Sequence, residues 1–135
     1  MNNKTDSNQI QLAAACILLS VADADEILED QEIIIIRDIL QEFFSIDNSS
    51  VKSLIQNAKE EWNNSTDLFQ FGTQLNQYFS HDDKLDFISC VFEVAYADGK
   101  LHYLEHHTVK KIVNILHLDK NDLIAAKTEI ENYLD

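Results

Sequence analysis

Proline is absent from the chain and glycine occurs only twice, at Gly72 and Gly99. Tight turns between strands draw heavily on both residues, so this scarcity argues against a strand-rich fold and for long helices joined by short polar connections. Basic residues are also few: 10 Lys and Arg stand against 24 Asp and Glu, a net charge of −14. A surface that negative repels phosphate backbones and anionic headgroups, which argues against nucleic acid and membrane surfaces as partners. It leaves cations and basic protein surfaces. No apolar run approaches the roughly 20 residues that span a bilayer. Segment 1–7 is polar and lacks the apolar stretch of a secretory signal, so a flexible N-terminus and a cytoplasmic protein are expected. The only two cysteines, Cys16 and Cys90, lie in apolar helical runs without metal-type spacing and read as small packing side chains.

What remains is ordinary globular material. Hydrophobic residues make up 45% of 135 residues, enough for one domain with a real core, expected over 8–135. Apolar periodicity and caps predict seven helices, an all-α fold. The first runs from Asn8 to Asp23 with Ile10, Ala14, Ile17, Leu18 and Val21 on one face. The second runs from Glu29 to Phe44. Its run Ile33 to Ile36 suits a strand by propensity, but Ile33, Ile36, Leu40 and Phe43 repeat at helical spacing. Ile34 and Ile35 point elsewhere, so burial on more than one side is expected, with a homodimer face as the alternative. A cap at Ser49 or Ser50 opens the third helix, which ends near Trp62, and Thr66 is the candidate cap of the fourth, carrying Leu68, Phe69, Leu75, Tyr78 and Phe79. Ser80 with Asp83 resembles a capping box that opens the fifth helix, His81 to Ala97. The sixth runs from Tyr103 to His117, and the seventh follows a cap at Asp119 or Asn121 and ends near Leu134.

An internal repeat organises these helices. A shift of 73 residues carries Ala22, Ala24, Asp25, Leu28, Glu32 and Ile39 onto Ala95, Ala97, Asp98, Leu101, Glu105 and Ile112. After a one-residue slip, Ile46-Asp47-Asn48 falls on Leu118-Asp119-Lys120. Each half, about 8–62 and 80–135, reads as helix, acidic turn, helix, Asp-containing turn, helix, with the fourth helix as connector between two pseudo-symmetric halves.

In each acidic turn an Asp, Asp25 or Asp98, sits at a helix C-terminus, where the helix dipole disfavours negative charge by about 0.3–1 kcal/mol. A cation held between that carboxylate and the following Glu would compensate. Hard divalent ions take oxygen ligands, and Asp25, Glu32, Asp98 and Glu105 can supply them, with Glu29 as a further candidate. The competing explanation is that Asp is a common turn residue and that Glu early in a helix needs no metal. An EF-hand is excluded: counted from Asp23, the fifth, sixth and twelfth loop positions are Ile27, Leu28 and Ile34.

The stretch Ala97-Asp98-Gly99-Lys100-Leu101, with Glu105 four residues on and an apolar helix before it, resembles the TerB-like family, which includes the tellurite-resistance protein TerB and the N-terminal domain of the DjlA co-chaperone. The resemblance spans nearly the whole chain. It implies an all-helical domain of two pseudo-symmetric halves whose acidic residues bind a metal; by position these are Asp25, Glu32, Asp98 and Glu105. The first turn departs from the pattern, because Glu26 stands where the second has Gly99.

One enzymatic motif competes. His102-Tyr103-Leu104-Glu105-His106 reads as H-x-x-E-H, in which two histidines one helical turn apart hold zinc and the Glu acts as general base. Catalytic zinc needs a third protein ligand, and no later Glu stands out as one. The simpler reading is a polar helix face bearing His102, His106 and Lys110. The sequence therefore points to a non-catalytic TerB-like module, with a stress or tellurite-resistance role suggested by the resemblance. It binds calcium, magnesium or manganese ahead of zinc, or a protein partner, through the acidic turn residues. A zinc-dependent hydrolase and a purely structural homo-oligomeric scaffold are the alternatives.

Overall fold

The computed structural model describes residues 3–22, 30–64, 67–97 and 103–134; within these, residues 3–6, 30, 31, 103–105, 133 and 134 are described by their backbone alone. The elements are α1 (Asn3–Ala22), α2 (Asp30–Phe44), α3 (Asn48–Asn63), α4 (Leu68–Tyr78), α5 (His81–Ala95), α6 (Tyr103–Ile115) and α7 (Lys120–Leu134). No strand occurs among the described residues. None of the described helices is long and apolar enough to cross a membrane.

The hub is α1, which packs against α2, α3, α4, α5 and α6. Ten consecutive residues, Ala13 to Ala22, are buried. A helix surrounded on all sides needs apolar or small residues all round, and the run Ala-Ala-Ala-Cys-Ile-Leu-Leu-Ser-Val-Ala supplies them. This corrects the expectation of a single apolar face, and α1 starts at Asn3 rather than Asn8. The polar groups on this stretch find backbone acceptors: Ser20 Oγ donates to the Ile17 carbonyl of its own helix at 2.6 Å and Cys16 Sγ to the Ala58 carbonyl of α3 at 3.7 Å.

Helix boundaries repeat at the spacing of the sequence repeat. Helices α1 and α5 end at the equivalent Ala22 and Ala95, α2 and α6 begin at Asp30 and Tyr103, and α3 and α7 begin at Asn48 and Lys120. The turns between second and third helices match as well. Ser45 and His117 hold positive φ, 54° and 60°. The next amide in each turn reaches back five residues, Ile46 N to Gln41 O at 3.2 Å and Leu118 N to Val113 O at 3.0 Å. Both are Schellman closures, which satisfy carbonyls otherwise orphaned at a helix C-terminus. Asp47 then caps α3 by accepting from Ser50 N at 2.7 Å. Asp119 accepts from Asp122 N at 2.9 Å, while the Asp122 carboxylate accepts from Asp119 N at 3.1 Å, a reciprocal capping box.

Several caps move from their expected positions. Asp47 rather than Ser49 or Ser50 opens α3, and Asp67 rather than Thr66 opens α4, accepting from Phe69 N at 2.9 Å. The Ser80–Asp83 capping box opens α5 as expected, both bonds being present. On α4 the apolar face also differs: Leu68, Phe71 and Leu75 are buried, whereas Phe69 is 61% and Tyr78 41% exposed. Trp62 and Phe79 pack against the core. Ile34 is 47% exposed, against the expected burial, because its neighbours Ile33, Ile36 and Leu40 already fill the inner face of α2.

A left-handed residue without glycine carries a steric cost, and exposed His117 occupies such a position. His117→Gly is therefore expected to raise stability by about 0.5–1 kcal/mol, the relief of strain exceeding the added chain entropy. A thermal melt would register this as roughly 2–5 °C; a fall in Tm would instead assign a stabilising contact to the imidazole.

Candidate functional site

The acidic residues of the repeat separate by how far the structure describes them. Asp25, Glu29 and Asp98 lie outside the described residues, as does His102. Glu105 stands in the first turn of α6, with its side chain outside them. Glu32, the equivalent residue in α2, is described and is 7% exposed, the single buried acidic side chain among the described residues. An ionised carboxylate leaves water at a steep cost unless charge or hydrogen bonds compensate, so an acid here is not a solubilising surface group.

His106 is half-buried rather than on a polar face, because the repeat puts it at the position of Ile33, which packs against the core. Burial pulls its pKa below the ordinary 6.5, and Lys127 and Lys110 add to the effect. Its Nδ1 is buried and makes no hydrogen bond among the described residues. A neutral imidazole suits a zinc ligand, but two ammonium groups beside it oppose a second positive charge. Among the described residues no three His, Cys, Asp or Glu side chains are grouped as a metal site. Burial, reinforced by acidic neighbours, pushes both Cys16 and Cys90 up to about 12, so neither thiol supplies a nucleophilic thiolate near neutral pH.

A second acidic feature was not anticipated from the sequence. One stripe of α5 bears Asp83, Asp86, Cys90 and Glu93 at spacings of three, four and three, and Ala97 continues it past the helix end. Along this stripe lie two cavities that share Glu93. One, of about 390 Å³, is lined by Ile39, Glu42 and Phe43 of α2 and by Asp83, Asp86, Cys90 and Glu93. The other, of about 590 Å³, has Ile35 of α2, Ser89 and Glu93 of α5, Tyr96 just past its end, and Ala126, Glu129 and Ile130 of α7 among its lining. Tyr96 joins α5 to α7 by donating from its hydroxyl to Glu131 Oε1 at 2.7 Å. Partial burial, then the Glu42 and Glu129 carboxylates, raise the Glu93 pKa. The helical spacing of these α5 acids is visible in the sequence; that α2 and α7 wall them in is not.

The whole-chain comparison accords with this architecture. A family model described as tellurite resistance protein TerB matches residues 11–128. The chain belongs to the TerB family. The match runs from α1 through most of α7 and so covers both halves and both acidic turns. No curated protein and no solved structure matches the chain significantly. For this TerB-family chain, membership carries the all-helical fold, and the chemistry has to be argued from its residues.

Proposed function

We propose that the chain is a non-catalytic TerB-family module that works by binding, and that its acidic turns hold a divalent cation. The observation that carries this reading is the burial of Glu32 in the first turn of α2, directly after the first acidic turn. Its repeat partner Glu105 stands in the first turn of α6, directly after the second. Asp25, Glu32, Asp98 and Glu105 present oxygen donors only, a set suited to calcium, magnesium or manganese rather than zinc. The Asp of each pair follows a helix C-terminus, where a bound cation offsets the adverse dipole. A protein partner that brings a basic side chain to the same carboxylates is the second form of this reading, favoured by the net charge of −14. The family's description suggests a role in tellurite resistance, and a fold does not by itself fix a substrate.

Thermal melts in calcium, magnesium, manganese and zinc, each against a chelator, test the proposal. At one hundred times its dissociation constant a cation adds about 2.7 kcal/mol, which for a chain of this size is a rise of roughly 5–15 °C. Asp25→Asn combined with Asp98→Asn should abolish the rise. Absence of any shift, or a shift that survives those substitutions, overturns the cation reading. A zinc shift that survives them and disappears in His106→Ala would move the site to the H-x-x-E-H helix and reopen the hydrolase alternative.

A further inference from the structure

We propose that the groove along α5, walled by α2 and α7, is a docking site for a basic amphipathic helix of a partner protein. This surface uses none of Asp25, Glu32, Asp98 or Glu105, so it does not rest on the cation reading.

Three properties of the groove select that occupant. Its rim is of one sign: Glu42, Asp83, Asp86, Glu93 and Glu129 line the two cavities, and no lysine or arginine does so among the described residues. Its floor is apolar, formed by Ile39, Phe43, Ile130 and half-buried Ile35 together with Ala126. Its geometry is helical. The lining recurs at every turn of α5 from Asp83 to Glu93, a length of about 15 Å at 1.5 Å per residue, and continues past the helix end to Ala97. A helix laid beside α5 presents side chains at i, i+3, i+4 and i+7 with the same pitch, the spacing by which helix-in-groove recognition works.

A purely acidic rim would attract any cation, and a purely apolar floor any hydrophobe. The two together ask for apolar anchors flanked by Lys or Arg on one helical face. Glu93 is the pivot because it borders both cavities. Its carboxylate is crowded by Glu42 and Glu129, so a basic side chain arriving there relieves repulsion as well as forming a pair. Asp83 is committed to the Ser80 capping box and contributes field rather than a free hydrogen-bonding arm.

The test uses the full chain and a fluorescein-labelled 14-residue synthetic helix of lysine and leucine with the leucines on one face, read by anisotropy at 0.15 M salt. Saturable binding is expected. The same peptide with serine for leucine, and a glutamate-leucine version, should each bind at least about tenfold more weakly, since each removes one of the two complementary features. Glu93→Gln with Glu129→Gln should weaken the lysine-leucine peptide by about tenfold. Glu60→Gln with Glu61→Gln, a matched change at exposed positions on α3, should alter it less than about twofold. Equal losses from the two pairs, or undiminished binding of the serine peptide, would reduce the interaction to non-specific attraction by an acidic protein and overturn the proposal. Asp25→Asn with Asp98→Asn should leave peptide binding within about twofold while removing the cation-dependent melting shift, so the two readings fail separately.

Discussion

Replacing Phe87 by alanine should lower the melting temperature by roughly 10–20 °C, the largest single effect expected from any side chain discussed above. Phe87 is 1% exposed. Its ring meets Phe43 of α2 edge-on at 5.8 Å and Phe79, just past α4, edge-on at 5.7 Å. Phe43 and Phe79 complete the triangle at 5.6 Å, and Phe44 adds a fourth ring at 5.1 Å from Phe43. Truncating a buried Phe removes the transfer free energy of its ring and leaves a cavity that neighbours fill only in part, together about 3–5 kcal/mol. Edge-to-face pairs add about 0.5–1.5 kcal/mol beyond the buried area. Two segments besides α5 itself, α2 and the residue past α4, converge on this one ring, so no single helix can move in to close the space. Phe69→Ala is the control: its ring is 61% exposed, and the change should stay within about 0.5 kcal/mol. Comparable losses from both would contradict the packing of this cluster. Because Phe43 also lines the groove beside α5, Phe87→Ala should loosen that wall, and peptide binding should weaken along with stability.

The fold was legible in the sequence because its punctuation is chemical. Ser80 with Asp83, and Asp119, announce helix starts by the side-chain oxygens that satisfy free amides, and the structure shows those bonds. Where two cap-forming residues stand together the sequence does not choose between them. Asp47, Ser49 and Ser50 are all able to cap, and the Schellman closure at Ser45 fixes which amides are left exposed, which selects Asp47. Four isoleucines in a row hide which of them faces water, since periodicity ranks faces only when polar residues interrupt it. Ile34 therefore emerges exposed while Ile36 is fully buried. The repeat predicted equivalent helix boundaries, and it also explains the half-buried setting of His106, which takes the place of Ile33. The acids of the groove were present as a helical stripe on α5, but a stripe of charge is ordinarily a solvated face. Only the positions of α2 and α7, set by contacts distant in sequence, place it along two cavities that also have apolar walls.

Gly72→Ala should cost roughly 2–3 kcal/mol even though it improves helix propensity by about 1 kcal/mol. Gly72 is buried inside α4, where an ordinary helix has no use for glycine. A methyl group built on it would fall on the Ile115 Cγ2 methyl and lie 3.2 Å from the Ile115 Cβ. Ile115 is β-branched and at the end of α6, so it has little rotamer freedom with which to yield. One turn further along α4, Asn76 Nδ2 donates to the Ile115 carbonyl at 2.8 Å, holding the two backbones at the distance the methyl would violate. The added carbon must push α6 away and stretch that bond, or distort α4. A melt should fall by roughly 6–12 °C. The decisive comparison is a double-mutant cycle: in an Ile115→Ala background, where the obstructing methyl is gone, Gly72→Ala should be close to neutral, giving a coupling of about 2 kcal/mol between the two positions. A Gly72→Ala protein as stable as the parent would mean that α4 and α6 do not meet here. Under the proposed cation reading the seat of α6 bears on the site too, because Glu105 stands in the first turn of this helix; the same substitution should then weaken the cation-dependent stabilisation that Asp25→Asn with Asp98→Asn removes.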